Sequence, residues 1–234
     1  MCGRYSLASS GQLELGSRFG LREEFVAAPR FNICPGEAIL AIRPREDGRE
    51  PVWRSWGLVP HWTKDPSIGS RMINARSETA PSKPAFAPGL EHARILIPAD
   101  GFYEWAPART GRRRPFHITV DGGRLFAFAG IEASWRPPDG GEPIRTCTIL
   151  TRAAGPELEG IHDREPVILD GEQAERRWLD RESSREEVVS LMAQRPDGIV
   201  ARPVGYAVSD AGFDGPECLD DAPPDPQGTL FDTV

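Results

Sequence analysis

Hydrophobic residues fall in short runs along this chain, and glycine, proline and acid–glycine pairs punctuate them. Gly3–Ala8, Ala38–Arg43, Pro51–Leu58, Arg94–Pro98, Phe102–Ala106, Pro115–Val120, Leu125–Ser134, Thr146–Thr151, Pro166–Leu169 and Ile199–Val204 read as strands. Glu46-Asp47-Gly48 predicts a hairpin between the second and third of these. Asp121-Gly122-Gly123 predicts another between Pro115–Val120 and Leu125–Ser134. Helical spacing is confined to Ser10–Phe19 with a serine cap, Pro156–Ile161, Gly171–Leu179 and Ser184–Gln194, the last capped by Ser184 with acids in its first turn. Many short strands with few helices, and no regular strand–helix alternation, predict an α+β fold. Its mostly antiparallel sheets curl toward a barrel, with helices at the periphery. No Gly-x-Gly-x-x-Gly or Walker A string supports nucleotide binding.

Composition narrows this picture. At 234 residues, the chain suits one large domain. Gly 24 and Pro 23 agree with a turn-rich fold. No apolar run is long enough for a membrane span, and MCGRYSLASS has no secretory core, so the cytoplasm is the expected compartment. The four cysteines, Cys2, Cys34, Cys147 and Cys218, form no CxxC pair and fit neither a zinc site nor a disulfide framework. Cys34 and Cys147 read as buried small hydrophobes, and Cys218 as incidental. The net charge of −7 argues at first against nucleic acid. Six acids and no base lie between Asp214 and Val234, however, and without them residues 1–213 stand at −1. Twenty-six of the 28 basic residues are arginine, which suits bidentate phosphate contacts and equally a GC-rich coding sequence. Residues 211–234 read as a flexible acidic tail behind a domain of residues 1–210.

Four strings carry candidate chemistry. Trimming the initiator Met before Cys2 leaves an α-amine and a thiol on adjacent carbons, with ordinary pKa values near 7.7–8 and 8.5. Such an aminothiol condenses with an aldehyde to an imine and then a five-membered thiazolidine, or attacks an amide as an N-terminal nucleophile; alone, a cysteine at this position is also compatible with no role. Asn74 and Arg76 project alike if their segment is extended, and otherwise belong to a turn and a cap at Ser77. Glu104 lies among Phe102, Tyr103 and Trp105, where desolvation would suit it to proton transfer unless it faces solvent. His162-Asp163-Arg164 at a helix-to-strand junction suits acid–base work or a structural role. His61, His92 and His117 read as structural or surface residues.

Together, MCGRY, RFNICPG, WGLVPHWTKD, INARSET, PADGFYEW and IHDREPVIL give the chain its resemblance to the SRAP family, the SOS-response-associated peptidases that shield abasic sites in single-stranded DNA. The resemblance covers residues 2–206. It implies a single compact SRAP-type α+β domain with a DNA channel, monomeric and without metal or cofactor, and a covalent thiazolidine between the mature N-terminal Cys2 and the aldehyde of a ring-opened abasic sugar. Its implied partner is single-stranded DNA holding an abasic site, including single-strand/double-strand junctions. Lyase and autoprocessing peptidase activities are implied alongside. By the same resemblance, Cys2 matches the crosslinking nucleophile, Asn74 and Arg76 the residues holding the sugar and its phosphate, Glu104 the acid/base partner of the amine, and His162 the residue assisting ring opening and reversal. Arg4, Lys83 and Arg164 match phosphate contacts; Pro35, Trp62 and Trp105 match the apolar surface against bases. Tyr5 stands where Phe is commoner, Cys34 where a small residue is usual, and Glu165 where a neutral or basic residue is usual. A thiol peptidase acting through Cys2 and His162, and a noncatalytic single-strand binder, are the alternative readings.

Overall fold

The computed structural model describes residues 2–223 apart from 9, 10, 23, 24, 109 and 110. In chain order the elements are β1 (Tyr5–Leu7), α1 (Gln12–Phe19), β2 (Arg30–Ile33), β3 (Ala38–Arg45), β4 (Gly48–Trp56), β5 (Asn74–Arg76), α2 (Ala87–His92), β6 (Arg94–Ala99), β7 (Gly101–Ala106), β8 (Arg114–Val120), β9 (Phe126–Trp135), β10 (Ile144–Ala153), β11 (Arg164–Pro166), β12 (Ile168–Leu169), α3 (Gly171–Leu179), α4 (Arg185–Ala193) and β13 (Ile199–Pro203). The strands form two sheets. One runs β13-β8-β7-β1-β2; the other runs β11-β10-β4-β3-β6-β9-β12, and its β10 also pairs β9. Strands β3, β4, β10, β9 and β6 therefore close into a ring. Closure gives each of these strands two neighbours and leaves no open edge among them.

The chain crosses between the sheets four times, and two of the crossings are short turns. Asp100 separates β6 from β7, which lie in different sheets. Asp121 to Gly123 return the chain from β8 to β9, again between sheets. The hairpin expected there is thus a crossover. Asp121, Gly122 and Gly123 all have positive φ (45°, 73° and 94°), whereas a hairpin of the predicted kind needs two such residues and pairs its flanking strands. β8 spends its hydrogen bonds on β7 and β13, and β9 on β6, β10 and β12. The β3–β4 hairpin forms as the sequence predicts.

Tyr5, Trp56, Phe102, Phe126 and Phe128 are fully buried, and Tyr5 meets Trp56 and Phe128 edge-on at 5.4 and 5.6 Å. Each such side chain contributes roughly 1.5–3 kcal/mol of burial. Ser184 caps α4 in a reciprocal capping box with Glu187. The serine cap expected for α1 at Ser10 lies outside the described residues. Pro156–Ile161 is not an α-helix: a single 3-10 turn covers Pro156–Leu158 and buries Leu158. The run Pro166–Leu169 divides at Val167, β11 pairing β10 and β12 pairing β9.

The C-terminal segment differs most from expectation. Through residue 223 it is a strap laid over β2 and β13. Asp214 accepts hydrogen bonds from the backbone N–H of Phe31 (2.6 Å) and Asn32 (2.8 Å) and pairs with Arg30. Cys218 is fully buried, and Val204 bridges to Asp221. The acids that made the segment look solvated include one that substitutes for a missing strand partner at the β2 edge.

Candidate active site

The chain enters β1 from Cys2. The N–H of Tyr103 donates to the Arg4 carbonyl at 2.9 Å, which carries the Tyr5–Phe102 register one residue further back. Cys2 and Gly3 thereby lie alongside the Glu104 end of β7. Asp100 fixes the strand from its other end: one carboxylate oxygen accepts from the Ser6 hydroxyl (2.6 Å) and the other from the Ala8 N–H (2.6 Å). The Ser6 hydroxyl also meets His117 Nε2 at 2.9 Å. In the sequence, Asp100 reads only as turn punctuation before Gly101, so its hold on β1 is visible only once β1 and β7 pair.

Cys2 is fully buried, and its Sγ faces the Arg4 carbonyl at 3.9 Å. Burial, reinforced by the nearby Glu104 carboxyl, pushes its thiol far up, so it is protonated at neutral pH. Asn74 Nδ2 donates to the Cys2 carbonyl at 2.7 Å. β5 is extended and pairs in parallel with β10, which sets Asn74 and Arg76 on one face and buries Ala75 on the other. Asn74 Oδ1 is buried without a hydrogen-bond partner among the described residues. Arg76 is exposed, and among the described residues its guanidinium makes no ion pair.

Glu104 is 3% exposed, and burial pushes its carboxyl up to about 7. Its Oε2 lies 3.8 Å from His162 Nε2. His162 Nδ1 accepts the Arg164 N–H at 2.9 Å, so the neutral ring carries its proton on Nε2, toward Glu104. Burial lowers the His162 pKa, which keeps the ring neutral at pH 7. Asp163 Oδ1, 3.0 Å from Nδ1 but largely exposed, becomes a partner only when the ring is protonated. His162 also lines an open cleft of about 500 Å³ with Pro107, Gly155, Pro156 and Ile161.

The remaining expected residues divide. Lys83 is exposed, Trp62 is 54% exposed, and Pro35 is half-buried in the turn after β2. Trp105 is half-buried, and its Nε1 donates to Ser209 (3.2 Å). Arg4 and Arg164, expected as phosphate contacts, both have partners within the protein. Arg4 donates to Asn32 Oδ1 (2.7 Å) and the Val208 carbonyl (2.8 Å) and lies 5.6 Å over the Trp105 ring, tying the strap to the site. Arg164 forks onto Glu78 at 2.6 and 2.9 Å and donates to the Thr151 carbonyl at 2.7 Å. Its hydrogen bonds hold the Glu78 carboxyl down to about 2. Glu165, flagged as unusual beside Arg164, faces away from it into a buried cluster with Arg152 and Arg195.

A curled two-sheet domain that buries a thiol and a carboxyl beside a half-buried imidazole, around its own amino-terminal segment, is a narrow class of protein. The chain belongs to the SRAP family, SOS response associated peptidase, whose profile matches residues 1–211. It is 35% identical over 226 residues to the Bacillus subtilis protein named abasic site processing protein YoqW, covering 94% of this chain and 99% of that one. It is 39% identical to the Gallus gallus abasic site processing protein HMCES, over 82% of this chain and 66% of that one. A crystal structure of a Bacteroides thetaiotaomicron protein superimposes with a TM-score of 0.84 at 22% identity, covering 94% of this chain and all of that one, and shares the fold.

Proposed function

We propose that this protein processes abasic sites in single-stranded DNA by forming a covalent thiazolidine through Cys2 after Met1 is removed. The observation that carries this reading is the burial of Cys2 between Asn74, on its carbonyl, and the Glu104–His162 pair. The names of the relatives, which are abasic site processing proteins, support the substrate class.

The chemistry follows from the residues. The closed abasic sugar opens to its aldehyde by moving a proton from its C1 hydroxyl to its ring oxygen; the Glu104 carboxyl, titrating near 7, relays that proton, and the Nε2–H of neutral His162 donates a hydrogen bond to the ring oxygen as negative charge builds there. The Cys2 amine attacks the aldehyde carbon and gives a carbinolamine. Glu104, titrating near 7, takes the amine proton and returns it to the departing hydroxyl, so that water leaves and an imine forms. The thiol then adds to the imine carbon, the imine nitrogen takes up a proton, and the ring closes. Because Cys2 is a protonated thiol at pH 7, this last step also needs a base, and Glu104 is the carboxyl beside it. The orientation of His162 favours this route over a Cys–His peptidase dyad: the ring proton faces Glu104, and Cys2 Sγ faces a backbone carbonyl.

An oligonucleotide with a single abasic site tests the proposal. The wild-type protein should give a band that survives denaturation, on single strands and at junctions. Cys2→Ser, which lacks the thiol for ring closure, should not. The same heat-stable adduct from Cys2→Ser refutes it.

A further inference from the structure

Loop 154–163 carries His162, and β10 and β11 hold its two ends. Their register places Arg152 directly opposite Glu165, and Ala153 opposite Arg164. Side chains alternate across a strand, so each face of this base is gripped separately. On one face Arg164 pairs with Glu78. On the other, Glu165 is 1% exposed and its two carboxylate oxygens accept four hydrogen bonds. Oε1 takes Arg152 Nε (2.8 Å) and Arg195 Nε (2.7 Å); Oε2 takes Arg195 Nη2 (2.9 Å) and the Gly155 N–H (3.2 Å).

The cluster reaches further into the loop. Arg195 Nη2 also pairs with Glu157 at 2.7 Å, inside the 3-10 turn that leads to His162. The guanidinium packs so closely on Gly155 that a Cβ there would lie 1.9 Å from Arg195 Cζ. Arg152 donates as well to the Gln194 carbonyl, where α4 ends. Two arginines and two carboxylates balance in charge. The loop's own hydrogen bonds, Leu158 N–H to Gly155, His162 N–H to Leu158 and Ala154 N–H to Asp163, continue from this anchor to the imidazole.

We propose that Glu165 and Arg195 are positioning residues for His162: by clamping Gly155 and Glu157 they set the loop that aims the imidazole at Glu104. The catalytic part of this inference rests on the function proposed above; the positional part does not. The Glu165 side chain hydrogen-bonds Arg152, Arg195 and Gly155, none of them Cys2 or an expected DNA contact, so its effect runs through the loop. Neutralising Glu165 leaves buried Arg152 with no carboxylate and Arg195 with Glu157 alone, and a buried charge left unpaired in this way forces the structure to move. A displacement of about 1 Å at a reacting group is enough for roughly 100-fold in rate.

The test reads His162 directly. Imidazole nitrogen NMR of the free protein reports the tautomer and pKa of His162 without any DNA. In Glu165→Gln and in Arg195→Met, whose site is partly exposed, the His162 signals should leave the Nε2–H state and its pKa should move toward the ordinary value. Glu165→Asp should retain most of the wild-type signature. On an abasic oligonucleotide, adduct formation should fall about 10–100-fold in the first two variants, with the loss concentrated in the rate at saturating DNA and not in DNA affinity. If Glu165→Gln does not fold, Arg195→Met alone decides. An unchanged His162 titration and tautomer in a folded variant overturns the proposal. A wild-type protein that makes no adduct refutes the proposed function and leaves the NMR result to decide the positioning.

Discussion

Glu104→Gln should make the protein more stable and less active. The amide keeps the shape of the carboxyl and cannot ionise. Burial raises the Glu104 carboxyl from its ordinary 4.5 to about 7, so the folded state resists its ionisation. At about 1.36 kcal/mol per pH unit, this corresponds to about 3 kcal/mol. The sign follows from proton counts. Between pH 4.5 and 7 the folded state holds a proton the unfolded state has lost, so stability falls as pH rises through this window and levels off above it. His117 and His162, both lowered by burial, act in the opposite sense, removing stability as pH falls below 6.5. They are present in both proteins and largely cancel in the difference. Urea unfolding followed by tryptophan fluorescence at pH 5, 6, 7 and 8 measures that difference. The Gln variant should gain on wild type as pH rises, by up to about 3 kcal/mol at pH 8. The same variant should form the DNA adduct about 10²–10⁴-fold more slowly, because the amide cannot relay the amine proton. A stability difference independent of pH would refute the argument that desolvation of Glu104 tunes the site.

Arg76→Ala should weaken single-strand binding and flatten the log affinity–log salt slope by about 0.7, measured by fluorescence anisotropy; Arg164→Ala, whose charge is already spent on Glu78, should lower Tm and leave the slope unchanged. Truncation after Phe213 should cost more than about 3 kcal/mol in urea unfolding, since it removes the Asp214 hydrogen bonds and buried Cys218. Because burial holds His117 down to about 4, its contribution to stability should fall by up to about 3 kcal/mol between pH 6.5 and 4, and in a Tm-versus-pH series His117→Gln should gain on wild type by that amount as pH falls. Gly101→Ala should destabilise by more than about 2 kcal/mol in thermal unfolding, because a Cβ there would lie 2.1 Å from His117 Nε2.

The sequence by itself determined what is local. Alternation and turn residues set most strands, the β3–β4 hairpin and the Ser184 cap, because these depend on neighbours within a few residues. The strings around Cys2, Asn74, Glu104 and His162 carried the family and the chemical types at the site. Tertiary structure decided whatever needed two distant segments. Asp121-Gly122-Gly123 has the composition of a hairpin turn, and only the competition of β7, β13, β6 and β10 for hydrogen bonds turns it into a crossover. Charge in the sequence says nothing about its partner. Only the fold shows that Arg4 bonds Val208 and Arg164 bonds Glu78, and Asp214 looks solvated until it satisfies the β2 edge. The proton chemistry is tertiary for the same reason. A carboxyl at 4.5 becomes one near 7, and a thiol loses its thiolate, only when folding removes the water that would stabilise their charges.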